Sequence, residues 1–157
     1  MSTVFRAIEF LGLSIWLGSD VFLSFVVAPG AFSVLASRDQ AGAVVGYSLT
    51  RVHWMGIVCG VVILLVRVLR IRSLTALLAP AALGVVAMIV LTAISQVAVS
   101  PRMAVLRVQM GSIQATADGD RLAEFARLHT ISVGLESGVL LAGMAALFWM
   151  VREVAVR

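Results

Sequence analysis

Four stretches of this chain, 8–30, 52–71, 77–99 and 128–151, are apolar over about the length needed to cross a bilayer. Hydrocarbon offers no water to unpaired backbone N–H and C=O groups, so each stretch has to close its hydrogen bonds internally as a helix. The expected fold is all-α: an antiparallel four-helix transmembrane bundle forming a single domain over residues 1–157. The second stretch is the shortest, and reaches Ile71 only if Arg67 snorkels toward the interface.

Composition supports a lipid-facing surface. The 157 residues are 61% hydrophobic and 13% charged, where soluble domains hold about 45–50% apolar and about 25% charged residues. Mean hydropathy is +1.08. All 12 basic residues are arginine, and the net charge is +4. In a soluble protein that charge would point to nucleic acid. Here the arginines lie at the ends of apolar runs, as topology signals do, and no nucleic-acid motif accompanies them. Membrane lipid, a membrane-protein partner or a second copy of the chain are the expected partners. The N-terminal run is too long for a signal-peptide core and contains Pro29, so it is expected to be a retained span. Cys59 stands alone inside an apolar run and reads as a small buried side chain.

The connections carry helix signals. "RVLRIRS" reads as a tight arginine-rich turn, while the other two connections are longer and helix-compatible. Asp39 can cap a helix entering the second span. Ser100–Pro101 reads as an N-cap with proline at N1, and Asp118 or Asp120 can cap the approach to the fourth span. The helices are therefore expected to extend one to three turns beyond the membrane on the outer side. Arg6, Arg67, Arg70, Arg72, Arg152 and Arg157 share one side, and Arg38, Arg51, Arg102, Arg107, Arg121 and Arg127 the other. The first set is denser and opposed by fewer acids. That favours cytoplasmic N- and C-termini in a bacterial-type inner membrane.

Polar residues inside the spans are the candidates for function. Asp20 and Glu136 fall at similar depth in the outer half of the first and fourth spans. A charged group deep in a bilayer is costly and reads as functional. Ser132, Thr92 and Gln96 add intramembrane polar groups able to bond across helices. His129 stands seven residues before Glu136 on one helix face, and His53 opens the second span from the same side. Together His53, His129, Glu136 and Asp20 would line a funnel from outside, suited to a cation, a proton or a small ligand. Two histidines and two carboxylates suit a divalent metal, and histidines on the second and fourth helices suit a haem. No cofactor is required by the sequence. The chain contains no GxSxG, phosphate-binding loop, dinucleotide fingerprint or zinc-protease motif, so no enzyme is expected. Small-residue spacing appears at Gly56 and Gly60, and at Gly134, Gly138 and Ala142.

Three blocks carry a family resemblance: "WLGSDVFLSFVVAPGAF" with Trp16, Phe22, Phe25, Pro29 and Phe32; "SPRMAVLR" with Pro101, Arg102 and Arg107; and "FARLHTISVGLE" with Phe125, His129 and Ser132. The chain resembles the transmembrane protein 205-like family, whose bacterial members carry the DUF4149 domain. The resemblance implies a four-helix integral membrane protein and little chemistry. It departs at Glu136, where the family carries asparagine, and at Asp20. The bundle is more distantly similar to the copper-resistance D group and to haem-binding membrane proteins of this size, which would imply haem or copper handling. A purely structural accessory subunit of a larger respiratory or photosynthetic type complex is the other reading, with Asp20 and Glu136 as hydrogen-bonded glue.

Overall fold

The computed structural model describes residues 2–111 and 118–156. Four helical rods form an antiparallel bundle. The first joins α1 (Ser2–Phe22), a π-helical turn (Leu23–Val27) and α2 (Ala28–Val34). The second is α3 (Arg38–Ile71). The third joins α4 (Pro80–Ile94), a second π-helical turn (Ser95–Val99) and α5 (Ser100–Met110), and the fourth is α6 (Gly119–Ala155). Each rod is long and apolar enough to span a membrane. The protein is an integral membrane helical bundle.

Its surface matches that solvent. Leu11, Phe25, Val58, Leu65, Val97 and Leu141 all point outward. The main core is a narrow seam of Leu13, Trp16, Ile63, Val85, Met88, Val139 and Ala146, and a smaller cluster joins Val99, Leu106 and Leu128. Cys59 is half-buried against this seam rather than enclosed in it.

Several local expectations change. Ser37, not Asp39, caps α3, its side chain accepting from the Gln40 N–H, while Asp39 sits in the first turn. Ser100–Pro101 begins no new rod, because the third rod runs straight through them. Proline lacks an N–H and its ring crowds the carbonyl four residues back. The wide turns Leu23–Val27 and Ser95–Val99 absorb that loss ahead of Pro29 and Pro101, each with one residue between. Asp118 does cap α6, accepting from the Arg121 N–H at 3.2 Å. The "RVLRIRS" segment is mostly helix. α3 ends at Ile71 and is capped by Arg72, in the left-handed region at φ 57°, and a 3-10 turn (Leu74–Leu78) leads into α4. From Arg38 to Arg51, α3 extends about four turns beyond the expected start of its span.

The two halves of the chain repeat one another. The buried positions of the first rod, Leu13, Trp16, Asp20 and Leu23, recur at constant offset in the third as Val85, Met88, Thr92 and Ser95. Pro29 and Pro101 keep the same offset. In the second rod His53, Gly56, Gly60, Ile63 and Arg67 correspond to Glu136, Val139, Gly143, Ala146 and Met150 in the fourth.

Packing obeys the same exchange. A methyl on Gly12 would meet Ile63, and one on its counterpart Gly84 would meet Ala146, the counterpart of Ile63. Gly60 faces Trp16 and Ile89, and Gly143 faces Leu17 and Met88, which are the exchanged pair. The bundle is thus two parallel copies of a helical hairpin related by an axis along the rods.

Trp16 seats on the second rod because Gly56 and Gly60 leave room for its indole. A Cβ at Gly56 would stand 2.2 Å from Trp16 Nε1. The other small-residue series acts in part: Gly134 faces open space, a Cβ at Gly138 would stand 3.1 Å from Leu91 Cδ1, and the tightest approach on α6 falls at Gly143. Gly56→Ala should therefore overpack the seam and cost about 1–3 kcal/mol. Gly134→Ala should be neutral or slightly stabilising by helix propensity. Reversible unfolding in mixed micelles measures both, and equal effects would contradict the packing described.

Candidate functional site

Each rod contributes one polar residue to a layer just above Trp16: Asp20 from α1, His53 from α3, Thr92 from α4 and Glu136 from α6. Asp20, His53 and Thr92 are 4%, 1% and 1% exposed. Ser95 and Gln96, one turn further along the third rod, close the layer. All lie near the middle of the rods. His53 therefore does not open its span from the surface, as its place in the sequence implies.

The geometry centres on His53. Its Nε2 lies 2.7 Å from Glu136 Oε1, and its Nδ1 lies 2.9 Å from Gln96 Oε1. Ser95 Oγ donates to the same Glu136 oxygen at 3.3 Å. The imidazole thus bridges the third and fourth rods from the second, and the His53–Glu136 bond joins residues that correspond in the two halves. Asp20 is close enough to both for their charges to act on it. Its Oδ2 is buried with no hydrogen-bond partner among the described residues, and so is Thr92 Oγ1. Those two orphans also correspond between the halves.

Of the residues singled out from sequence, Asp20, His53, Thr92, Gln96 and Glu136 come together. His129 does not. It is exposed on α6, whose inward line at that height runs through Leu128 and Ser132. Leu128 packs with Val99 and Leu106 of the third rod, and this contact turns His129 outward. The four-residue metal set therefore fails to assemble. Among the described residues no group of three or more His, Cys, Asp and Glu side chains has the arrangement of a metal site. A haem held between His53 and His129 fails for the same reason. Ser132 is buried, one turn from Glu136.

A second polar cluster goes unread in the sequence. Arg67 is 1% exposed and does not snorkel; it donates to Glu9 Oε2 at 3.1 Å and to Glu153. Arg70 Nε donates to Glu9 Oε1 at 2.7 Å. Four charges thereby gather at the end where α1 begins and α6 ends, with Arg67 and Glu9 buried at their centre. Helical spacing alone signals it: Arg67 continues the inward line His53, Gly56, Gly60 and Ile63.

A family model described as "Domain of unknown function (DUF4149)" matches residues 11–112. The chain belongs to this family. No curated protein and no solved structure matches it. The stretch matched by the DUF4149 model holds Asp20, His53, Thr92, Ser95 and Gln96, and it ends before α6, so Glu136 lies outside it. Within the stretch, Arg107 ties three rods together at the end away from α1's start. It covers Gly42 of α3, where a Cβ would fall 2.9 Å from its Nη2, and stacks over Phe125 of α6 at 5.3 Å.

Residues in direct hydrogen-bonded contact couple energetically, and those that share only a field couple less. The His53→Ala, Glu136→Ala and double-mutant cycle should give an interaction of about 0.5–3 kcal/mol, larger than the cycle over Asp20 and Glu136. Unfolding in detergent measures both. Stronger coupling between the two acids than between His53 and Glu136 would contradict the pairing.

Proposed function

We propose that this chain is a non-catalytic membrane protein whose mid-bundle polar layer takes up and releases a single proton. One observation supports the reading above all: an imidazole, His53, is held by a carboxylate on one nitrogen and an amide on the other. With the carboxylate and the amide oxygen both accepting, His53 carries both protons and forms an ion pair with Glu136. If the Gln96 amide turns over, its NH₂ donates to Nδ1 and the ring is neutral with every hydrogen bond kept. The layer thus holds one proton more or fewer without breaking its contacts.

Asp20 adds to this. The His53–Glu136 ion pair is neutral, which leaves Asp20 as an uncompensated buried carboxylate with an unpartnered oxygen. An isolated charge is strongly disfavoured there, so the layer favours states in which its carboxyls are neutral or paired. Placement at the interface of two parallel repeats, near the middle of the rods, matches where repeat-built membrane transporters put their sites. We assign the protein to a bacterial-type inner membrane with both termini cytoplasmic, on the density of arginines at the Arg67–Arg72 end.

The chain has only two histidines, which makes the test direct. Nitrogen NMR of histidine-labelled protein in micelles should show His53 changing protonation with pH, its signal distinguished from that of exposed His129. Glu136→Gln should shift the His53 transition and leave His129 unmoved. A His53 signal that is invariant with pH and indifferent to Glu136→Gln would refute proton handling and leave the structural-subunit reading.

A further inference from the structure

At the end of the bundle where α1 begins and α6 ends, a cavity of about 300 Å³ is lined by Arg6, Arg67, Arg70 and Glu153, with Ile71, Ala79 and Val156 on its apolar side. We propose that this cavity binds a phosphate-bearing anion, in the membrane the headgroup of an acidic phospholipid.

Charge accounts for it first. The three arginines face two carboxylates, Glu153 and Glu9, and the ion pairs are used up unevenly. Glu9 takes both Arg67 and Arg70, and Glu153 takes Arg67. Arg6 has no ion pair or hydrogen bond among the described residues, so the cavity keeps one uncompensated guanidinium. Arg67 adds a second, independent sign: it is 1% exposed, it lines the cavity, and its Nε has no partner among the described residues. Guanidinium N–H groups match phosphate oxygens in geometry, and basic pockets between transmembrane helices at the membrane surface take acidic headgroups. The apolar wall of Ile71, Ala79 and Val156 would lie against the glycerol and upper acyl chain.

The site is independent of the polar layer at mid-bundle, so its test does not depend on that reading. Purified full-length protein in a neutral detergent would be unfolded thermally with added phosphatidylglycerol, phosphatidylcholine or inorganic phosphate. The variants are Arg6→Gln and Arg6→Lys; Arg6 has no protein partner to lose among the described residues, so both should fold. Phosphatidylglycerol should raise the midpoint of the native protein, and phosphatidylcholine should not. Arg6→Gln should need roughly five- to tenfold more phosphatidylglycerol for the same shift, and Arg6→Lys should recover part of the response. Stabilisation by inorganic phosphate alone, abolished by Arg6→Gln, would support the phosphate site with free phosphate as its source. Equal responses to the two lipids, no response to any probe, or an Arg6→Gln protein that responds like the native one would overturn it.

Discussion

A hydrogen bond between an imidazole and a carboxylate, His53 to Glu136, sits near the middle of the membrane-spanning rods, with His53 buried. In hydrocarbon a polar side chain without a partner is expensive, so the partners fix which helix faces inward. His53 faces the centre because Glu136 and Gln96 are there, and the third rod is drawn in through Ser95. The seam below is then filled by Trp16 on Gly56 and Gly60, and by Leu17 and Met88 on Gly143. Apolar residues alone would not set this rotation, because lipid receives Leu as readily as the core does.

The internal repeat explains why polar groups gather at one level. Two copies of a hairpin in parallel bring equivalent positions to the same height on opposite sides of an axis. His53 and Glu136 are such a pair, and so are Asp20 and Thr92. Within each pair one member is basic and the other acidic, or one is ionisable and the other neutral. At the other end the equivalence is broken further: Arg67 corresponds to Met150, so the buried arginine at the centre of the ion-pair cluster has no counterpart in the second half, which contributes only Glu153. The layer and the cluster are then distinct devices on one scaffold.

Much of this is legible in the chain. The four rods follow from apolar length, and of the polar residues inside the spans Asp20, His53, Thr92, Gln96 and Glu136 do share one layer. Asp118 caps as its position implies. His129 goes astray because a seven-residue spacing says only that two side chains share a face. Where that face points at each height is decided by α5 packing on Leu128, a contact distant in sequence. Arg67 reads as a snorkelling arginine because its partners Glu9 and Glu153 lie on other rods. The prolines are visible, but their effect is not: Pro101 reads as a helix start until the wide turn before it is seen to carry the rod onward. The repeat is not read from the sequence: it emerges from the buried positions, although Gly12 and Gly84, and Pro29 and Pro101, keep its offset.

Direct contact between His53 and Glu136 inside the membrane is the central claim. Dipolar recoupling between ring nitrogen-15 and side-chain carboxyl carbon-13, on protein labelled at histidine and glutamate in lipid bilayers, measures that contact without mutation. One histidine Nε2 should dephase as a nitrogen bonded to a carboxylate does, and the effect should vanish in Glu136→Gln made without a labelled carboxyl at that position. The second histidine, exposed His129, should show none. Absence of dephasing at both histidines would mean that the polar layer is not built as described.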